Sequence, residues 1–217
     1  VPSDGYLSKV SSLCKKHNIL LICDEIQTGL GRTGKLSAHE YDGIKPDLMT
    51  LGKSLSGGMY PVSCVIGRRD VMLSIEPGTH GSTFGGNPLH SAVAIASLQV
   101  IRDEKLTENA FIQGERLRKA LVSLESPIVT NSTFLKTSNH QYFLVRGRGL
   151  LNAMTIDESR MKKGTSTWDL CLQLRSLGLI TRPTKGNIIR LIPPLCLSRT
   201  QVDECVDIIS HGLKSFE

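Results

Sequence analysis

A carboxylate and an amine stand at the ends of two apolar runs. Ile19-Leu20-Leu21-Ile22-Cys23 has the length of a strand and is apolar throughout, and Asp24 follows it directly. A strand apolar on both faces belongs inside an α/β sheet, and open α/β sheets take their ligands at the carboxyl ends of their strands. Lys53 follows a second expected strand, Asp47 to Leu51, in a loop that continues to Ser56-Gly57-Gly58. A lysine amine can join an aldehyde cofactor such as pyridoxal phosphate, while a carboxylate keeps the cofactor's ring nitrogen protonated. The same two residues also fit a buried ion pair, or two solvated surface charges, and spacing leaves these alternatives open. The run Gly81-Ser82-Thr83-Phe84-Gly85-Gly86-Asn87 offers backbone N–H groups and hydroxyls suited to a phosphate. Standing alone, it would read as a flexible turn.

Two other glycine patterns lack the context their chemistry needs. Gly29-Leu30-Gly31-Arg32-Thr33-Gly34 fits the dinucleotide spacing, but four residues lie between Asp24 at the strand end and the first glycine, and Lys35 to Tyr41 lack helical period. Gly52-Lys53-Ser54 imitates the end of a Walker loop, yet Asp47 occupies the place of the required first glycine. A nucleotide-binding protein is therefore the weaker reading.

The elements that must position these residues alternate between helix and strand. A helix is expected over 4–17, with Leu7, Val10, Leu13 and Cys14 on one face and Ser3 as its cap. A third strand is expected at Val62 to Ile66. Asn87-Pro88 opens a helix whose buried stripe reads Leu89, Ala92, Val93, Ala96 and Val100. Another begins near Thr107 and turns Ala110, Gly114, Leu117, Leu121 and Leu124 inward. The polar stretch 126–143 has no period and reads as a loop or insertion. Beyond it come a strand at Leu150 to Ile156, a helix over 166–177, and strands at Leu179 to Arg182 and Ile188 to Ile192. Ser198 with Gln201 forms a capping box for a last helix, with Val202, Cys205, Val206, Ile209 and Leu213 as its stripe. The fold class is α/β, in two parts, 1–105 and 106–217.

Composition narrows the class. The 217 residues carry a net charge of +6, 40% are apolar and 21% charged, which excludes a disordered or fibrous chain. The basic excess is spread out, so nothing resembles a nucleic-acid tail. No apolar run reaches the roughly 18 residues of a membrane span. Six cysteines without CxxC spacing read as reduced, buried thiols rather than a disulfide or zinc framework. Asn131-Ser132-Thr133 matches a glycosylation acceptor by chance. The chain opens on Val1-Pro2-Ser3-Asp4-Gly5, which reads as the middle of a longer protein.

Three strings carry a resemblance: LLICDEIQTGLGRTGK, KPDLMTLGKSLSGGMYPVS and GTHGSTFGGNPL. They resemble the class III pyridoxal-phosphate-dependent aminotransferases of fold type I. GGMYPVS, RGRGLLNA and IIRLIPPL are similar to the branch that acts on ornithine, more than to its acetylornithine, 4-aminobutyrate and diamino-acid relatives. The resemblance runs from Val1 to about Phe216. It implies the second part of the cofactor-binding large domain (1–105), followed by a C-terminal α/β small domain (106–217). It implies that Lys53 carries the cofactor, that Asp24 is the partner of its ring nitrogen, and that Gln27 hydrogen-bonds its phenolic oxygen. It implies that Ser82 and Thr83 reach the phosphate of a neighbouring subunit's cofactor, hence a homodimer or higher homo-oligomer with shared sites. Arg190 is implied to pair with a substrate carboxylate, for which a guanidinium fork is suited. The implied reaction moves the side-chain amino group of ornithine to 2-oxoglutarate, giving glutamate semialdehyde and glutamate. A related ω-aminotransferase, or a truncated product without catalysis, are the other readings. The implied compartment is the mitochondrial matrix or the cytosol. No metal, nucleic acid or membrane partner is expected. The family's cofactor-stacking aromatic, its first phosphate-binding loop and the glutamate that pairs with the arginine are expected upstream of Val1.

Overall fold

The computed structural model describes residues 1–124, 126, 128 and 145–216. The expected loop at 126–143 lies outside these residues except for Ser126 and Ile128, both buried. The glycosylation-like triplet at Asn131 lies outside them as well. The chain divides into two compact units, Pro2–Glu108 and Asn109–Glu217, the latter with Val1.

The first unit is built on a three-stranded sheet in the order β1-β2-β3. β1 (Ile22–Asp24) and β2 (Leu48–Leu51) run parallel, and β3 (Cys64–Gly67) returns antiparallel to β2. Helix α1 (Tyr6–Lys16) precedes β1. Ser3 is not its cap. Gly5 occupies that position in a left-handed conformation, and the free N–H groups of Leu7 and Ser8 donate instead to Asp42 Oδ2, at 2.6 and 3.2 Å. A carboxylate at a helix N-terminus satisfies orphan donors and meets the favourable end of the dipole. Nothing local in the sequence points to a cap thirty-five residues away.

The expectation of a doubly buried β1 fails. Only Cys23 of its residues is buried, and Ile22 is 59% exposed. β1 stands at the edge of the sheet, and no element among the described residues covers Ile19, Leu20 and Ile22. Beyond the glycine-rich stretch after β1 the chain forms a short 3₁₀ turn, Ala38–Asp42, and no α-helix opens there. This geometry does not provide the helix N-terminus a dinucleotide site requires.

After β3 come a single helical turn, α2 (Arg69–Met72), and then α3 (Pro88–Asp103), capped by Asn87 Oδ1 on the His90 N–H at 3.0 Å. The face of α3 differs from the expected stripe. Leu89 and Val100 are exposed, whereas Ile101 is buried with Leu30, Leu51 and Leu55, and Ala94 is against that cluster. α3 is apolar around most of its circumference, so its period cannot select the buried face. Contact with the turn at Lys53–Ser56 does, sealed by a hydrogen bond from Ser97 Oγ to Ser54 O at 3.3 Å.

The second unit holds a four-stranded antiparallel sheet, β4-β5-β7-β6, from β4 (Val145–Arg148), β5 (Leu151–Thr155), β6 (Pro183–Thr184) and β7 (Ile188–Leu191). Helices α4 (Leu106–Val122), α5 (Thr167–Ser176) and α6 (Arg199–Lys214) complete it. The core joins Leu117 and Leu121 of α4, Met154 of β5, Leu170 and Leu174 of α5, Ile189 of β7 and Ile209 of α6. Each such side chain contributes about 1.5–3 kcal/mol by leaving water. The stripe of α4 and the capping box at Ser198 are as expected, and a second capping box, Ser166 with Asp169, opens α5. The strand expected at Leu179 to Arg182 is absent. The Leu179 N–H is spent on closing α5, on Leu174 O at 2.8 Å, and ladder pairing begins only at Pro183. β4 was not expected, because Arg-Gly-Arg has no apolar alternation.

All six thiols are free, but the expectation that they are buried holds only for Cys23 and Cys171. Cys64 and Cys196 are exposed. No helix among the described residues is long and apolar enough to cross a membrane.

Candidate active site

The site is assembled where β1 and β2 end side by side. Parallel pairing sets Asp24 opposite Thr50, a register the sequence does not reveal. Thr50 Oγ1 donates to Asp24 Oδ1 at 3.0 Å, and the Ile26 N–H donates to the same oxygen at 3.1 Å. Asp24 itself is exposed, and its Oδ2 receives no hydrogen bond among the described residues. One carboxylate oxygen is therefore held and the other is open to a ligand.

Beyond β2 the backbone turns abruptly. Gly52 is extended, and Lys53 follows in the left-handed region at φ 47°. A non-glycine residue there costs on the order of 1–3 kcal/mol and is kept only where its surroundings impose it. The next residues do so, since Leu55 and Ser56 are buried beneath the turn and Gly57 and Gly58 leave it with positive φ. The outcome is that Lys53 Nζ donates to Gln27 Oε1 at 2.8 Å. An ammonium has only donors, so it claims the carbonyl of the amide and leaves the Gln27 NH₂ free to donate elsewhere. Asp24 and Lys53 form no ion pair with each other among the described residues. That removes the simplest structural account of the two.

The turn from β1 that carries Gln27 rests on a buried carboxylate. Glu25 is 3% exposed and accepts from Thr28 Oγ1, from the His39 N–H at 2.9 Å and from His39 Nδ1 at 3.0 Å. Burial alone would raise its pKa. The hydrogen bonds from Thr28, from the His39 and Ala38 backbone and from the His39 ring outweigh that and hold the carboxyl below its ordinary value.

Ser82 and Thr83 lie in the exposed segment before α3, and among the described residues neither hydrogen-bonds to Asp24, Gln27 or Lys53. Ser82 Oγ accepts from the Gly85 N–H at 3.0 Å and so shapes its own turn. Arg190 belongs to the second unit. It lies on β7, half-buried, without a side-chain partner among the described residues. Thr181 Oγ1 donates to its carbonyl at 2.9 Å. It borders a groove of about 380 Å³ with Thr181, Leu191, Pro193 and Cys205.

The first unit thus brings together Asp24, Gln27 and Lys53 of the residues read from the sequence. Sequence reasoning missed Thr50, Glu25, Thr28 and His39. Thr50 carries no signal of its own, because its role follows from strand register. Glu25 stands beside Asp24 in the sequence, and its burial alone separates its task from its neighbour's.

A strand-end carboxylate with one open oxygen, an amide with a free NH₂ and a lysine in a left-handed turn thus stand at the adjoining ends of β1 and β2. Residues 1–213 match the family described as aminotransferase class-III, and the chain belongs to that family, whose members depend on pyridoxal phosphate. Among curated relatives, the ornithine aminotransferase of Emericella nidulans is 52% identical over 213 residues, covering 98% of this chain and 44% of the relative. The mitochondrial ornithine aminotransferase of Rattus norvegicus is 48% identical over 216 residues, covering 100% of this chain and 46% of the relative. The chain spans about half the length of the curated relatives it matches. Among solved structures, the ornithine aminotransferase of Toxoplasma gondii superposes with a TM-score of 0.88 at 41% identity, over 99% of this chain and 47% of that one. That structure is described with partial occupancy of PLP at its active site. An acetylornithine aminotransferase from Elizabethkingia anophelis superposes with a TM-score of 0.87 at 46% identity, over 100% of this chain and 51% of that one.

Proposed function

We propose that this chain is the part of an ornithine aminotransferase that carries the cofactor's lysine, and that the protein moves the side-chain amino group of ornithine to 2-oxoglutarate. The observation that carries the reading is the grouping of Asp24, Gln27 and Lys53 at two adjoining strand ends, with one Asp24 oxygen and the Gln27 NH₂ left open. These groups fit pyridoxal phosphate: a carboxylate for the protonated ring nitrogen, an amide donor for the phenolic oxygen, an amine for the aldehyde. When bound, the cofactor supplies an electron sink for the bonding pair of the C–H beside the substrate's amine.

The residues of the chain do the rest. Lys53 Nζ would hold the cofactor's aldehyde carbon and, as a free amine, would serve as the general base for the proton on the substrate's amine-bearing carbon. The left-handed turn keeps that nitrogen at the site. Asp24 Oδ2 holds the ring nitrogen's proton, and Thr50 and the Ile26 N–H keep the carboxylate in place. The Gln27 NH₂ donates to the phenolic oxygen. Arg190 pairs with a substrate carboxylate. Ser82 and Thr83 serve the phosphate of a partner subunit's cofactor, in a homodimer or higher homo-oligomer. Residues 1–105 form the second part of the large domain and 106–217 the small domain. The mitochondrial names of several relatives, in Drosophila melanogaster, Rattus norvegicus and Caenorhabditis elegans, support a mitochondrial compartment.

The test compares this chain with a protein extended to the length of its relatives. Each is given the cofactor, 2-oxoglutarate and, separately, ornithine, N-acetylornithine or 4-aminobutyrate. Glutamate semialdehyde from ornithine is expected in the extended protein. Lys53→Ala should abolish it, and Asp24→Asn should lower single-turnover rates by orders of magnitude. Near-normal turnover in Lys53→Ala would end the assignment. Preference for N-acetylornithine would keep the chemistry and change the donor, a reading that the Elizabethkingia anophelis neighbour favours.

A further inference from the structure

Glu25 is a buried charge that the proposed chemistry does not use. An ionised carboxylate removed from water survives only when it is richly hydrogen-bonded. Here Thr28 Oγ1, the His39 N–H and His39 Nδ1 all converge on it. Its backbone is tied as well. The Glu25 N–H donates to Thr50 O at 3.0 Å, and Glu25 O accepts from the Gly29 N–H at 2.8 Å. These ties lead to both supports of the site, since Thr50 holds Asp24 and the turn 25–29 carries Gln27. The turn has no slack: a Cβ at Gly29 would sit 2.9 Å from Glu25 O and 3.1 Å from Leu51 Cδ2.

We propose that Glu25 is a positioning residue, whose buried carboxylate clamps the turn 25–29 and so holds the Gln27 amide against Lys53 Nζ. The inference rests on the reading of Lys53 as the cofactor-carrying amine. Glu25 touches no substrate and acts only through its neighbours. Replacing it by glutamine keeps the shape but removes the charge, and an NH₂ in place of Oε2 meets Thr28 Oγ1 only if that hydroxyl turns from donor to acceptor. The charge-assisted bonds from Thr28 and His39 are lost, and the turn loosens.

The experiment reads Lys53 rather than turnover. In the extended apoprotein, the rate constant of pyridoxal phosphate uptake by Lys53 is followed by visible absorbance at one fixed pH. Gln27→Ala removes the side chain that holds the Lys53 amine in place, so the rate constant should fall by about threefold. Glu25→Gln should produce a similar fall, although it leaves Gln27 in the sequence. In the Gln27→Ala background, Glu25→Gln should slow uptake no further, because the two act in series. A general loss of stability would lower the unfolding midpoint in both backgrounds and leave the uptake rate of the folded protein unchanged. If Glu25→Gln does not fold, Thr28→Val removes one donor with little change of size, and should slow uptake in the same way. An uptake rate unchanged in the folded variants, or equal falls in both backgrounds, would overturn the inference while leaving Lys53 as the anchor. Uptake that persists in Lys53→Ala would overturn the reading beneath it, and this inference with it.

Discussion

Replacing Gly114 by alanine should destabilise the protein, although helix propensity predicts the reverse. Gly114 lies in the middle of α4, where glycine is worse than alanine by about 1 kcal/mol. An alanine Cβ built there would stand 1.9 Å from Gly149 O and 2.3 Å from Gly149 C. Real Cβ atoms do not approach within 3.0 Å, so α4 and the β4–β5 turn must part by more than an ångström. The obstacle is backbone and cannot rotate away. Gly149 O also accepts from Arg118 Nη1 at 2.9 Å and from Asn152 Nδ2 at 3.0 Å, and the displacement stretches both. Two hydrogen bonds at about 1 kcal/mol each, with about 1–3 kcal/mol for overpacking, exceed the gain in propensity. The expected net loss is about 2–4 kcal/mol. Urea unfolding followed by circular dichroism measures it as a fall in midpoint at an unchanged slope. A gain of about 1 kcal/mol would show that the close approach is not real and refute the reasoning.

Other consequences concern caps, acid and thiols. Asp42→Ala strips α1 of the carboxylate that accepts from its Leu7 and Ser8 N–H groups and should cost about 1 kcal/mol, read in the same unfolding assay; no change would mean that water serves those N–H groups equally well. Glu25 has its pKa lowered by folding, so its contribution is present above its ordinary value of 4.5 and lost as pH falls through the lower folded value. Glu25→Gln should therefore flatten the acid limb of stability below about pH 4.5, and a limb of unchanged steepness would count against it. Burial pushes the thiols of Cys171 and Cys205 up to about 11, so both should resist alkylation near neutral pH while exposed Cys196 reacts. Mass spectrometry of the native protein gives the order, and early labelling of Cys171 would contradict the core as described.

Much of the local structure was legible because its causes are local. Asn87-Pro88 and the Ser198–Gln201 capping box announce helices through bonds made within three residues. The stripe of α4 was readable because its polar face is clear. That of α3 was not, because an almost wholly apolar helix offers several equivalent faces. The strand expected at Leu179 to Arg182 was lost to a backbone donor spent on closing α5, a choice between two partners that composition does not record.

The amino-acid sequence by itself determined which groups could do chemistry: a lysine between glycines, a carboxylate at a strand end, an amide three residues on. Their strings also carried the family. Only the tertiary structure decided how those groups meet. Parallel register gave Asp24 its Thr50 hydroxyl, the left-handed turn at Lys53 swung its amine onto Gln27, and burial parted Glu25 from Asp24. Register, backbone strain and burial are properties of residues far apart in the chain, and no single stretch of sequence contains them.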